Sequence, residues 1–469
     1  MSERISYQSL LAENASLREA LRSALMEIEQ LKARLGTDST TSSMPPSSDG
    51  LKKPTIEPAL PRGQGKKRGG QPGHKGDTLR FSEVIDETVV HLPEAEHCGC
   101  GRQIDSSQGS LKSERRQEFD LPVRMVHVRE HRLLEVSCTC GQVHCATFPE
   151  HVNAPVQYGS GVHALVQLLN VEYNVGVDKV GNLFANLGFG HINPHTVTGS
   201  VHRGAYLAET PVSQIKEAIL ESELAHADET GARVAGKLHW VHGIGTRSYT
   251  YLFCHEKRGS QALFSEQSIT KDYRGILIHD FWKTYFLIAC QSHGMCLAHI
   301  LRELKGLSLH HNRIWSKDMH ELLLEAYQLS DQGRGVVAAE QINQIHRRYW
   351  HILQQARIEE PPPTTRPGKK IKRSKGLNLA ERLINFWDDV LRFATVLCVP
   401  FTNNVAERDI RPLKTKLKVA GCFRTKAGID DYLMLRSLCS SLRKQKRNVF
   451  EHLKLLWERK PIDMAVSVT

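Results

Sequence analysis

Long apolar runs are missing from this sequence. None approaches the roughly 18 residues a membrane-spanning helix needs, so an integral membrane protein is not expected. The amino terminus, MSERISYQSL, lacks the charged-then-apolar order of a secretory leader, which points to the cytoplasm. Cysteine is sparse and odd in number, 11 in 469 residues, which excludes a disulfide scaffold. Cys254, Cys290, Cys398 and Cys439 lie in apolar surroundings and read as reduced core residues. Negative charge is in deficit: 51 Asp and Glu against 62 Lys and Arg leave a net +11 and a pI of about 9.1. Such a balance favours polyanionic partners, nucleic acid first. What remains is ordinary for a soluble protein, with 40% hydrophobic residues and room for about three domains.

The chain is organised around LHADETGARV, which reads as a buried strand delivering Asp228 to an open edge. AILESELA before it has a helical pattern, and KLHWVHGIG and SYTYLFCH after it have strand patterns. Successive strand side chains point to opposite faces, so Asp228 and Glu229 cannot both serve one site. A second acid, Asp280, ends the apolar strand of RGILIHDFWKTYF, and strand ends are where open sheets place their chemistry. A third candidate, Glu407, falls in the first turn of a helix that Asn403 or Asn404 can cap. The spacings, 280 − 228 = 52 and 407 − 280 = 127, suit acids that meet only in the fold. Three hard oxygen donors from separate elements can hold two magnesium (or manganese) ions about 3.5–4 Å apart, the arrangement of phosphodiester cleavage. A lone strand-end Asp is ordinarily a solvated cap, so spacing alone does not establish a site.

Four stretches in this order, ADET, HDFWKTY, CLAHILREL and NNVAERDIRPLKTK, resemble the catalytic region of the insertion-sequence-sixty-six family of DDE transposases. The resemblance implies a ribonuclease-H-like core with catalytic, magnesium-binding acids at Asp228, Asp280 and Glu407. It also implies a helical insertion between the second and third acids. It selects Glu407 over Asp409, which lies on another face of the helix. His299 and Arg302, three apart on one helical face, become candidates for phosphate contact beside the site.

The rest of the chain fits around that core. Leu10, Asn14, Leu17, Leu21, Ala24, Ile28, Leu31 and Leu35 alternate in steps of four and three, predicting a coiled-coil homodimer, or a higher homo-oligomer, over 1–36. Residues 37–80 form a Ser-, Pro- and Gly-rich linker in which Lys66, Lys67 and Arg68 can touch phosphates. Within 81–150, Cys98, Cys100, Cys138 and Cys140 offer four thiolates on two glycine-bearing turns, a zinc-ribbon-like arrangement. The family more often places two residues between paired cysteines, whereas both pairs here have one. Residues 151–210 read as a helix-turn-helix-like DNA-binding region, with Asn193 as cap, Pro194 in the first turn, and His195, Thr196 and Arg203 facing DNA.

The core is expected over 211–309 and 376–430, interrupted by a helical insertion and basic loop at 310–375 that carries Lys369 and Lys370. Amphipathic helices follow over 431–469. Cations on the Glu407 helix, Arg411 and Lys414 among them, can bind phosphate, though they fall on changing faces.

The expected whole is a multidomain α+β, nucleoid-associated transposase. It binds double-stranded DNA at terminal inverted repeats and at the target, with accessory proteins of the same element as possible partners. Two rivals stand beside it: a non-catalytic DNA-binding regulator derived from a transposase, and a structure-selective nuclease of the same fold.

Overall fold

The computed structural model describes residues 151–332, 335–363 and 373–465, with short pieces before them: 13–21, 24, 41, 81–83, 85–90, 100, 116–118, 127–137, 140 and 143–149. Residues 13–21 are helical, and Leu17 and Leu21 on that helix are exposed. Strands β1 (Glu135–Ser137) and β2 (Val143–Cys145) pair antiparallel.

Four helices open the continuous region: α1 (Ser160–Gln167), α2 (Val177–Asn186), α3 (Pro194–Leu207) and α4 (Glu209–Leu220). The start of α3 follows local chemistry. Asn193 Oδ1 accepts from the His195 N–H at 2.8 Å, and Pro194 occupies the first turn, where a missing N–H costs nothing. Val166, Val180, Phe184, Ile192 and Val197 form a small core among α1, α2 and α3. Gly204 lets α3 close on α1, because any Cβ there would collide with the Gln167 amide, which donates to the Ser200 carbonyl at 2.7 Å.

A five-stranded sheet follows: β3 (Leu224–Val234), β4 (Lys237–Gly245), β5 (Thr250–His255), β6 (Ile276–His279) and β7 (Ser292–Met295). Its spatial order is β5-β4-β3-β6-β7. The first three strands form an antiparallel meander, and β6 and β7 then add parallel to β3. Ala235 and Gly236, both at positive φ (48° and 77°), make the two-residue turn between β3 and β4. Such a turn matches the strands' right-handed twist. All four residues of β6 are buried, as a parallel strand covered on both faces requires.

Five helices then build a layer on the parallel end of the sheet: α5 (Leu297–His311), α6 (Ile314–Gln332), α7 (Ala339–Glu359), α8 (Lys375–Asn385) and α9 (Trp387–Thr395). Ile276 and Ile278 of β6 share one core with Leu304, Trp315, Leu322, Tyr349, Leu383 and Phe393 of these helices. Burying each leucine there stabilises the fold by about 1.5–3 kcal/mol. The chain returns to the meander with α10 (Asn404–Ala420), α11 (Lys426–Lys444) and α12 (Val449–Trp457). Helix α10 packs on β3 and β4, α11 on β5 and α3, and α12 on α1. The last contact includes a ring stack of His163 on Trp457, 3.8 Å between centroids. The fold is thus a mixed α/β architecture with a mixed sheet, and no described helix is long and apolar enough to cross a membrane.

Candidate active site

Strands β3 and β6 run parallel with Leu224 opposite Ile276 and His226 opposite Ile278. That offset, 276 − 224 = 52, equals the separation of the two acids, 280 − 228 = 52, so extending the register two residues past its last pair sets Asp280, just beyond β6, level with Asp228 inside β3. Neighbouring strands lie about 4.8 Å apart. Main-chain donors orient both carboxylates: Asp228 Oδ1 accepts from the Glu229 N–H at 2.9 Å, and Asp280 Oδ1 from the Trp282 N–H at 2.9 Å.

Glu407 stands in the first turn of α10, near enough for its charge to act on Asp228. Asn403 stands at the helix start but does not cap it with its side chain. Instead its Nδ2 donates to the Ala227 carbonyl at 2.7 Å, its Oδ1 meets His226 Nδ1 at 2.9 Å, and its main-chain N–H donates to Cys296 Sγ at 3.2 Å. One residue therefore fastens the helix carrying the third acid to the strand carrying the first and to the start of α5.

The electrostatics follow from this crowding. Burial, then the charges of Glu229, Asp280 and Glu407, push the Asp228 carboxyl well above its ordinary range. Asp280 is raised chiefly by burial and is partly restored by Arg258 and Arg382. Half-buried carboxylates whose charges oppose one another are donors of the kind a hard divalent cation neutralises, so their oxygen-only chemistry suits magnesium or manganese.

Glu229, whose charge acts on Asp228 and which is itself raised by burial and by the charge of Asp280, is held by partners of its own. Arg258 pairs with it at 2.5 Å, and the Tyr285 hydroxyl donates to it at 2.6 Å. The Arg258 guanidinium lies between the Trp240 and Trp282 rings, 4.8 and 4.7 Å from their centroids. Asp409 has a different fate. It is buried and accepts from Lys444 Nζ at 2.6 Å, while the same ammonium donates to the carbonyls of Thr246 and Tyr249. That ion pair ties α10 to α11 and leaves Asp409 away from the acid cluster.

The remaining candidates scatter. His195 and Arg203 are exposed on α3, with Arg203 over the Tyr206 ring at 4.9 Å; Thr196 is half-buried, its carbonyl accepting from Ser200. On α10 the cations do not change faces as expected: Arg408, Arg411, Lys414 and Lys418 are all exposed. Lys416 instead turns inward to donate to the Asn170 carbonyl at 2.9 Å. Arg302 donates to the Ala298 carbonyl of its own helix at 3.2 Å. His299 is not turned out toward a phosphate. Its Nδ1 is enclosed without a hydrogen-bond partner, and burial pushes its pKa down to about 4.

Cys100 and Cys140 are exposed and free. Cys98, Cys138, Lys66, Lys67, Arg68, Lys369 and Lys370 lie outside the described residues. Sequence reasoning missed Asn403 as a clamp, Arg258 as the partner of Glu229, and Cys296. For the last a signal was present, the C-x-x-H spacing inside CLAHILREL.

Residues 155–431, more than half of the chain, match a model described as the Transposase IS66 family, and the chain belongs to that family. It is therefore a transposase by class. Residues 3–80 match a second model, described as a family of unknown function (DUF6444). No curated protein matches the chain.

Proposed function

We propose that this transposase cleaves and joins DNA at a two-cation site held by Asp228, Asp280 and Glu407. The observation that supports the reading is the 52-residue offset of the β3–β6 register, equal to the separation of the first two acids, together with the Asn403 bond that links the helix of the third to β3. The order of the sheet, three antiparallel strands followed by two parallel ones, supports a ribonuclease-H-like core. A pair of magnesium (or manganese) ions there would supply Lewis acidity at the scissile phosphate and an activated water or 3′ hydroxyl.

The chain's own residues do the positioning. Main-chain N–H groups hold Asp228 and Asp280 in fixed rotamers, and Arg258 with Tyr285 occupies Glu229 so that it does not compete. The exposed side of α3, bearing His195 and Arg203, is the surface we assign to the element's terminal inverted repeats. Arg411 and Lys414, leading away from Glu407 on α10, suit phosphates of the strand being cut. The β1–β2 hairpin, with Cys140 between its strands, supports a zinc-bearing module built with Cys98, Cys100 and Cys138. Exposed Leu17 and Leu21 support an intermolecular helical seam.

The test is incubation of purified protein with its own element ends and magnesium, followed by mapping of the nicked strand. Asp228→Asn should lower nicking by about a thousandfold or more while leaving end binding nearly unchanged. Equal loss of both would sink the assignment. Recovery of joined products separates a transposase from a nuclease of the same fold.

A further inference from the structure

Beside the acid cluster lies a second donor set of different character. Cys296 Sγ, the His299 imidazole and a Glu407 carboxylate oxygen all lie within 4.8 Å of one another. We infer that Cys296, His299 and Glu407 bind one zinc-class cation, and that filling this site withdraws Glu407 from the magnesium pair. The second half rests on the function proposed above; the first does not.

Donor chemistry sets the preference. A thiolate and an imidazole favour zinc or cobalt strongly over magnesium, whereas Asp228 and Asp280 offer hard oxygens alone. Spacing agrees with it. Tetrahedral zinc with ordinary Zn–S and Zn–O bonds places sulfur about 3.6 Å from oxygen. Cys296 Sγ lies 4.0 Å from Glu407 Oε1, a gap that a small side-chain rotation closes.

Burial and the neighbouring Glu407 charge push the Cys296 thiol up to about 12, and main-chain N–H groups directed at the sulfur offset part of that rise. Cys296 stands immediately before the 15-residue helix α5, whose N-terminal dipole stabilises negative charge, and the Asn403 N–H points at its sulfur from 3.2 Å. An independent observation is the enclosed His299 Nδ1, a buried polar atom with no partner among the described residues. Cation binding releases the thiol proton to solvent, while the imidazole and carboxylate contribute lone pairs. Three protein donors leave a fourth position open.

Stoichiometry and spectroscopy on the full-length, metal-stripped protein test this. One variant carries serine at Cys98, Cys100, Cys138 and Cys140, so that the amino-terminal cysteines are silent. It should still bind one equivalent of zinc and, with cobalt, show a thiolate-to-metal charge-transfer band. Adding Cys296→Ala should abolish both, and His299→Gln should weaken binding about tenfold or more. Absence of the cobalt–thiolate band before Cys296 is changed would overturn the site.

Should the four-serine protein fail to fold, the intact chain and Cys296→Ala are compared directly. A difference of one zinc equivalent supports the site, and equal stoichiometry overturns it. In the activity arm, zinc added to magnesium-loaded protein should suppress nicking of element ends, and Cys296→Ala should relieve that suppression. Undiminished nicking by zinc-loaded protein would defeat the competition. A chain that binds the equivalent yet never nicks in magnesium alone leaves this site standing and removes the proposed function instead.

Discussion

Asn403 shows how much one side chain can determine. Its amide spans His226 and the Ala227 carbonyl, both buried, so truncation leaves a buried acceptor and an imidazole without partners. Asn403→Ala should destabilise the protein by about 1–3 kcal/mol, read as a lower urea midpoint. It should also depress nicking more than end binding, because the helix carrying Glu407 loses its anchor. Asp409, two residues beyond Glu407, should behave oppositely. Breaking its buried pair with Lys444 by Asp409→Ala should cost about 3–5 kcal/mol yet leave the magnesium concentration for half-maximal nicking unchanged at permissive temperature. A shifted magnesium requirement would show that Asp409 belongs to the cation site.

The two aspartates were legible because each belongs to a strand-forming stretch visible in one dimension, Asp228 inside β3 and Asp280 directly after β6. The role of Asn403 was not, since an Asn before a helix reads as a cap, and its true partners lie 107 to 177 residues away.

At the scale of elements, α3 and α10 present the surfaces that matter. On α3 the exposed positions His195, Thr198, His202 and Tyr206 recur at steps of three and four, with Arg203 beside His202, one continuous stripe. His202 is anchored to Asp431 at 2.8 Å, and Arg203 rests on Tyr206, so the stripe is held in place before any ligand arrives. Arg203→Ala should weaken binding to element ends; if it contacts a phosphate, the salt dependence of log K should become shallower by about one, uniformly across sequences. A loss confined to particular end sequences would assign it to a base instead.

Helix α10 taught the reverse lesson. Its charges seemed dispersed in sequence, but helical geometry gathers four on the solvent side and hides Lys416 beneath. Strands and helices of the core were readable from periodicity. The enclosure of His299 Nδ1 was not, because it depends on packing with α10, which begins only at Asn404.

For the molecule as a whole, the amino-terminal and carboxy-terminal ends of the described core stabilise each other. His163 of α1 stacks on Trp457 of α12, and its Nδ1 bonds Ser200 Oγ at 2.7 Å while that hydroxyl donates to the Thr196 carbonyl. This arrangement requires a proton on Nδ1, and burial, which lowers the pKa from 6.5 to about 4, keeps the ring otherwise neutral. The unfolded chain therefore takes up a proton that the folded one refuses. Stability from this residue is complete above pH 6.5 and is lost as pH falls toward 4. Melting temperatures across that interval should decline less steeply in His163→Gln than in the parent protein. No local pattern announces a contact between positions so far apart, which is why the sheet was readable in advance and this closure was not.

The same closure governs the fate of damaged copies. A reading frame interrupted just before α12 would still encode every residue of the α3 stripe, and so looks like a recipe for a competitor that occupies element ends without cutting them. Yet its product would have stripped α1 of the helix that covers it. Such a polypeptide should be degraded rather than accumulate, sparing the intact enzyme from sabotage by its own broken relatives.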